Sequence, residues 1–481
     1  MMLRLLSLCA VAVTLPLSAA AQSTRTSPAP APAPATAAAQ APLTLDDVLR
    51  SSARNAPQII EALAKQRQAE GKALSAEGAF DIVFDVDAQT RALGYYDGTV
   101  VDAKVSRALD NNGGGLYAGY RVSRGRFPIY EDKAYTNQLG ELKVGAIFSL
   151  LRDRVTDERR TKLRLADQDV DVARLEREMV AIGVQRRAMS AYQAWAVAGL
   201  RLKAYRDLLA LSERRRAQLA RQVQLGARPQ ILITENDQNL ARRRSLVAQA
   251  EQKLAETANA LSFFWRDENG MPIVPATDRL PATLPELPGV APRAGPILRP
   301  DLKTVLVRID QSLARLQLAE NDLKPRLDAR AELAKDVGAL GPGGASRTPA
   351  EAIVGVRFTV PLERRAARGR IVESRAEIDA LRTRQRMLEE QIAIEVKGIT
   401  IGIEGADRVA DLAAQEAELA GKMATAEQRR FDMGASDFFL INQREESATD
   451  ARLRALDARY QALVARADLA AATADRGVLG L

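Results

Sequence analysis

Residues 352–365 read AIVGVRFTVPLERR, and they join two different structural patterns. Every second residue of the first nine is apolar, whereas most of those between are small, polar or charged. The apolar set is Ala352, Val354, Val356, Phe358 and Val360. A two-residue period predicts a β-strand with one apolar face. Beyond Pro361 there is no proline up to residue 481, which predicts a long helical region directly after the strand.

Three further segments, 80–88, 142–150 and 327–333, alternate in the same way. Strands of about ten residues with one apolar and one charged face have the length and pattern of membrane barrel strands. An ordinary half-buried sheet also alternates, so that alternative stays open. Charges on a lipid-facing side cost about 2 to 4 kcal/mol near the midplane, which makes the polar residues candidates for a barrel lumen. They are Asp81, Asp85, Asp87, Arg326, Asp328, Arg330, Glu332 and Arg357.

Two proline-free stretches, 152–228 and 362–481, repeat apolar residues at heptad spacing, which predicts long helices with helical partners. A helix of roughly 60 residues would be about 90 Å long. Gly226 and Gly434 are expected to end the first helix of each pair, because glycine adopts the left-handed conformation that follows many helices. Return helices are expected over 230–264 and 437–474, which gives two antiparallel helical hairpins.

The two halves of the chain resemble each other. Asn55-Ala56-Pro57 matches Leu298-Arg299-Pro300 at an offset of 243, and the two hairpin glycines match at an offset of 208. We therefore predict a first structural repeat over 43–271 and a second over 301–481, joined by a Pro-rich linker over 272–300. Before the repeats we predict a signal peptide over 1–21 and a disordered Pro/Ala-rich leader over 22–42. Thr44 before Asp46 and Asp47 predicts the first helix cap.

The N-terminus has Arg4, an apolar run over 5–17 and small residues over 19–21, the pattern of a cleaved export signal; a retained anchor is the alternative. The only cysteine, Cys9, lies in this signal, and Leu8 before it argues against lipidation. Histidine is absent, which removes the commonest general base and metal ligand. We predict no enzyme, no catalytic, cofactor or metal site and, since the net charge of +8 is spread among acids, no nucleic-acid partner.

These features together resemble the TolC-like outer-membrane efflux family, the outer-membrane factors of tripartite pumps and of type I secretion, over essentially the whole mature chain. Three phrases carry the local likeness: residues 43–49 with Asn55-Ala56-Pro57, Val360-Pro361-Leu362 before the arginine-rich helix start, and Met433-Gly434-Ala435-Ser436. The resemblance implies a mainly α fold with a small transmembrane β part. Each chain of a homotrimer would give four strands to a 12-stranded β-barrel, and the long helical hairpins would form an α-barrel.

The resemblance also implies that the hairpin tips meet a periplasmic adaptor (membrane fusion) protein and thereby an inner-membrane pump. The candidate docking residues are Gly226, Ala227, Gly434, Ala435, Ser436 and Asp437, although turn chemistry alone also explains the glycines. Acid and arginine pairs close the entrance in some relatives, and they are missing here. In their place we expect either an apolar constriction of the entrance or ordinary helix core. The residues concerned are Leu232, Phe438, Phe439, Leu440 and Gln443.

The tyrosine-rich segment 93–140 is expected to form an interfacial girdle, an extracellular lid or a loop packing cluster. The predicted function is a passive outer-membrane exit duct that exports drugs, metals or similar toxic solutes from a Gram-negative periplasm. Protein export by type I secretion is the alternative within this fold. A soluble periplasmic coiled-coil scaffold or adaptor is the alternative from another class, but it would not need strands with bare apolar faces.

Overall fold

The computed structural model describes residues 41–287, 297–341, 343 and 349–481. The predicted signal peptide, its Cys9, the leader up to residue 40 and part of the Pro-rich linker, 288–296, lie outside the described residues. From Pro42 to Leu481 the chain forms one unit.

The first helix begins where its capping signal predicts. In α1 (Leu45–Asn55), the Thr44 hydroxyl accepts a hydrogen bond from the Asp47 amide at 3.2 Å, and the Asp47 carboxylate accepts one from the Thr44 amide at 3.3 Å. The hydrogen bond from the Thr44 side chain holds the pKa of Asp47 below its usual range. This reciprocal cap satisfies two backbone donors that the helix itself cannot pair.

Helices make up most of the fold. The first half contains α2 (Pro57–Glu77), α3 (Glu158–Gln224) and α4 (Ile231–Ser262), and the second half contains α5 (Pro300–Asn321), α6 (Arg365–Asp432), α7 (Phe438–Ala472) and α8 (Arg476–Leu479). The two longest, α3 and α6, have 67 and 68 residues and are each about 100 Å long. No described helix has an apolar stretch long enough to cross a bilayer.

The helices pack in a repeated arrangement. α2 and α4 both lie against α3, while α5 and α7 both lie against α6, so each long helix is accompanied by two shorter ones. Contacts of α3 with α5 and α7 join the two halves. Trp195, fully buried, lies with Tyr192 and Leu254 in the main apolar cluster, which α1, α3, α4 and α7 share. This packing confirms the two predicted helical hairpins.

The sheet departs from expectation in its number of strands. Within the described residues it has six antiparallel strands in the order of the sequence: β1 (Ile82–Thr90), β2 (Thr99–Ala108), β3 (Gly115–Arg124), β4 (Glu141–Ser149), β5 (Arg326–Asp336) and β6 (Glu351–Thr359). The prediction of four strands was wrong in this count, because it left out β2 and β3. These two strands form a hairpin between β1 and β4, inside the tyrosine-rich segment.

Candidate channel wall and hairpin tips

One side of the sheet, which we call the apolar face, is apolar across all six strands except near strand ends, where it carries Arg107, Arg124 and Lys335. The pairing register places Val86 beside Ala103, Ala103 beside Tyr120 and Tyr120 beside Leu142. The apolar residues of this face are Ile82, Phe84, Val86, Ala88, Val101, Ala103, Val105, Leu116, Ala118, Tyr120, Val122, Leu142, Val144, Ala146, Phe148, Leu327, Ala329, Ala331, Leu333, Ala352, Val354, Val356 and Phe358. Most of its large side chains are exposed, with Val354 at 81%. An exposed apolar surface of this extent marks a contact with lipid or another protein.

The opposite side, the polar face, is held by ion pairs between strands. Arg121 on β3 pairs with Glu141 on β4 at 2.6 Å, and Lys143 on β4 pairs with Asp102 on β2 at 2.7 Å. The second pair passes over β3, which lies between its two partners. Long-range pairs on this face therefore connect the inserted hairpin with the rest of the sheet.

Two glycines make these crossings possible. Gly145 on β4 separates Tyr117 on β3 from Glu332 on β5, and the Tyr117 hydroxyl donates a hydrogen bond to Glu332 over it. A Cβ at Gly145 would collide with the Tyr117 ring, and a Cβ at Gly119 would collide with the Lys143 side chain. Because these glycines have no side chain, Tyr117 can reach over β4 to β5 and Lys143 can reach over β3 to β2. We call the space above each glycine a slot.

The predicted lumen residues lie on or beside the polar face. The register sets Asp85 opposite Lys104 and Asp328 opposite Arg357. Arg326 pairs with Asp328 at 2.6 Å, and Arg330 pairs with Glu332 at 2.5 Å. The remaining two are Asp87 in β1 and Asp81 just before it. That all of these face a lumen remains a prediction.

Sequence reasoning missed the polar residues of the inserted hairpin. Its two strands carry Asp102, Lys104, Tyr117 and Arg121 on the polar face. The signal was present: apolar residues alternate over 99–108 and 115–124, with Asn112-Gly113 as a turn between them. Because the segment is rich in tyrosine, it was interpreted as a possible aromatic cluster, and its two-residue strand period was not recognised.

A cavity of about 940 Å³ lies on the polar face, and most of its lining comes from five successive strands, β2 to β6. Lys104 contributes from β2, Tyr117 from β3, Lys143 from β4, Glu332 from β5 and Ile353 from β6. The cavity is therefore lined mainly by charged and polar side chains, whereas the opposite face stays apolar and exposed.

The aromatic residues of the tyrosine-rich segment are divided among several places. Tyr117 and Tyr120 lie on opposite faces of β3. Phe127 and Tyr135 make an edge contact with ring centroids 5.1 Å apart, and Tyr95 and Tyr96 make another at 5.1 Å. Tyr130 is exposed. The role of this segment as a girdle or lid stays a prediction.

Both hairpins turn in the same way. Gly226 and Gly434 have φ angles of +71° and +76°, in the left-handed region where glycine is favoured. The next amide in each turn, Ala227 or Ala435, donates to the carbonyl five residues earlier at 2.8 Å. Asp437 caps α7 by accepting from the Leu440 amide at 2.6 Å. Turn chemistry alone therefore accounts for the glycines.

The tips, which we define as residues 225–231 and 433–439, expose large apolar side chains at equivalent positions. Leu225 and Met433 are 83% and 75% exposed, and Ile231 and Phe439 are exposed as well. Phe438 is buried against Leu219, Phe431 and Ile441, with Leu232 partly buried beside them. Phe438 is thus helix core, while Leu440 is half-buried and Gln443 exposed.

A buried charged cluster lies behind the tips. Arg215 on α3 and Arg243 on α4 both donate to the carboxylate of Glu445 on α7, at 3.1 and 3.3 Å. Asn442 accepts from Arg215 at 2.9 Å. Burial lowers the pKa of Arg243. The two guanidinium groups and the Glu445 carboxylate therefore share a site from which water is almost excluded, and the half-buried carboxylate of Glu446 lies 3.9 Å from Arg243.

No group of three or more histidine, cysteine, aspartate or glutamate side chains is placed to hold a metal ion within the part of the chain that the structure describes. The charged residues of both the polar face and the buried cluster pair with each other instead.

Several solved outer-membrane channels share this architecture. The outer-membrane channel OprN is similar with a TM-score of 0.62 at 16% identity, over 89% of each chain. The Campylobacter jejuni outer-membrane channel CmeC gives 0.60 at 13% identity, over 89% of this chain and 85% of that one. The open state of the Neisseria gonorrhoeae channel MtrE gives 0.60 at 14%, over 89% and 88%. No known family profile and no curated protein sequence matches the chain. The chain has the fold of the TolC-like outer-membrane channels.

Proposed function

We propose that this chain is one of three identical subunits of an outer-membrane exit duct in a Gram-negative bacterium. The duct carries small toxic solutes such as drugs or metals from a periplasm-spanning pump to the exterior, and it catalyses nothing. One observation carries the proposal: a single sheet with an exposed apolar face and an ion-paired polar face is joined directly to helices about 100 Å long. The similarity in fold to solved outer-membrane channels supports it.

The sheet requires partners if it lies in lipid. β1 and β6 each have one edge that no described strand of this chain pairs. Unpaired backbone groups in hydrocarbon cost several kcal/mol each, so an open sheet cannot remain there. Copies of the chain can pair β6 of one with β1 of the next, and this gives a closed ring. The apolar face then meets lipid and the polar face meets water.

The tips are proposed to be the contact with a periplasmic adaptor protein, and through it with an inner-membrane pump that supplies the energy. Gly226, Ala227, Gly434, Ala435, Ser436 and Asp437 form the turns there. The exposed Leu225 and Met433 beside them add an apolar surface to both tips. Since α3 and α6 are each about 100 Å long, tips at their far ends can lie deep in the periplasm.

Fractionation tests the location and assembly. The full-length protein, expressed in a Gram-negative host, is expected in outer-membrane detergent extracts as a trimer that dissociates on heating. A soluble periplasmic monomer would overturn the proposal and favour the scaffold alternative.

Deletion of the native gene tests the cargo. We expect greater sensitivity to several unrelated toxic solutes, restored by the plasmid-borne gene. Unchanged sensitivity together with the loss of a secreted protein from the medium would instead assign the duct to protein export.

A further inference from the structure

The inserted hairpin β2–β3 is part of the sheet rather than an appendage to it. β1 pairs with β2 over nine residues and β3 pairs with β4 over seven, so β1 and β4 have no contact as neighbours. The apolar face continues without a gap through Ala103 and Ala118. Polar-face contacts reach over β3 from Lys143 to Asp102 and over β4 from Tyr117 to Glu332.

We infer that the wall of the duct contains 18 strands, six from each of three subunits, and that its outer mouth is as wide as its helical tube. The inference rests on the proposed function for the trimer. The six-strand sheet itself is independent of it. The additional pair of strands widens the exit, and it therefore raises the size of the largest solute that the exit admits, because a barrel's diameter grows roughly linearly with strand number.

The barrel and the helical tube have similar expected diameters. With strands about 4.8 Å apart and tilted by about 40°, a ring of about 18 strands is about 36 Å across between backbones, whereas about 12 strands give about 24 Å. Three copies of the four long helices α3, α4, α6 and α7 give a ring of about 12 helices. At about 9.5 Å between axes this ring is also about 36 Å across. The exit therefore does not narrow the duct, and the periplasmic tips set the size of what passes.

The directions of the strands permit such a closure. β1 runs away from the helices and β6 runs back toward them, so β6 of one subunit and β1 of the next are antiparallel. An even number of strands per subunit keeps every pair in the ring antiparallel. The cavity on the polar face is lined by residues from β2 to β6, on the side that would be the interior of such a ring.

Disulfide cross-linking tests the strand order in the assembled protein. The only natural cysteine, Cys9, lies in the predicted signal peptide. Asp85→Cys with Lys104→Cys joins direct partners on β1 and β2, and is expected to cross-link within one subunit. Asp85→Cys with Lys143→Cys is the matched control: the register places these residues at the same height three strands apart, about 14 Å.

A second pair tests the closure. Asp85→Cys combined with a cysteine at Ile353, Gly355 or Arg357 on β6 is expected to give covalent trimers for one of the three positions. If a heat-modifiable trimer forms but Asp85 cross-links to β4 instead of β2, the 18-strand wall is excluded while the duct remains. If no trimer forms, it is the proposed function that fails.

Polymer exclusion measures the mouth. Trimers in planar bilayers are exposed on the loop side to polyethylene glycols of increasing size, and the largest one that lowers conductance is recorded. Replacing residues 92–138 with an Asn-Gly turn is expected to reduce the limiting polymer diameter by about a third. An unchanged limit in a folded variant would overturn the inference. If that variant does not assemble, the cross-links still decide the strand order.

Discussion

At the scale of single residues, Gly145 controls a contact between strands that are not neighbours. We expect Gly145→Ala to push the Tyr117 ring away and to break its hydrogen bond to Glu332. Overpacking and a lost hydrogen bond each cost about 1 to 3 kcal/mol, so the trimer should dissociate at a lower temperature. Gly355→Ala is the control, because a Cβ at that polar-face position meets nothing within 4 Å. Equal dissociation temperatures for both variants would contradict the role of the slot.

The buried cluster makes a second prediction at this scale. Glu445→Gln removes the carboxylate that accepts hydrogen bonds from both Arg215 and Arg243. Breaking a buried ion pair by removing one partner costs about 3 to 5 kcal/mol, since a charge remains without compensation. Thermal unfolding followed by helical circular dichroism should therefore begin at a lower temperature.

The exposed pair of Arg454 with Glu416 provides the comparison for this variant. Glu416→Gln should change unfolding little, because water and salt screen exposed pairs. A variant at Glu445 that unfolds at the wild-type temperature would show that the cluster does not stabilise the helix junction.

Contacts between side chains that are far apart in the sequence were the hardest features to predict from the sequence. The cap at Thr44 could be predicted because its partner Asp47 is three residues away. By contrast, Tyr117 and Glu332 are 215 residues apart, and nothing local in the sequence indicates that Gly145 lies between them. The same holds for Arg215 and Glu445, whose separation of 230 residues is spanned only when α3 packs against α7.

At the scale of the element, adjacent residues of β6 lie on opposite faces of the sheet, one proposed to meet lipid and the other water. Val354 lies on the apolar face and Ile353, whose register partner is Glu332, on the polar face. Val354→Arg would place three guanidinium groups against lipid in a trimer, at about 2 to 4 kcal/mol each near the midplane. We expect it to reduce the amount of trimer in outer-membrane extracts severely.

The adjacent substitution Ile353→Arg is the matched control, because it introduces the same side chain on the water-facing side. Its trimer yield should stay near the wild-type level. If the two variants assemble equally well, or if Ile353→Arg is the more damaging, the assignment of the faces is wrong.

Elements were predictable where their period was read over the whole segment. The long helices followed from proline-free heptad stretches, and β1, β4, β5 and β6 from two-residue alternation. β2 and β3 carry the same alternation, but their tyrosine-rich segment was interpreted as a connection between strands. The alternation was therefore counted in four segments, whereas the sheet has six strands.

At the scale of the whole molecule, the internal repeat shows which features recur at both tips. Leu225 and Ile231 at the first tip correspond to Met433 and Phe439 at the second, with the same offset as the two turn glycines. All four side chains are exposed. Apolar residues that helix packing does not use, repeated at both tips, are expected to contact a partner.

Substitutions at Phe439 and at its neighbour Phe438 are expected to have different effects, the first on docking of the partner and the second on folding. We expect the double variant Phe439→Ser with Ile231→Ser to form normal amounts of heat-modifiable trimer and yet to fail to restore resistance in the deletion strain, because only the exposed tip surface is changed. Phe438→Ser should instead lower trimer yield, since removing a buried phenylalanine costs about 3 to 5 kcal/mol. Susceptibility assays and immunoblots of unheated samples measure both. Full resistance in the double variant would show that the partner binds elsewhere, whereas loss of its trimer would make these tip residues structural.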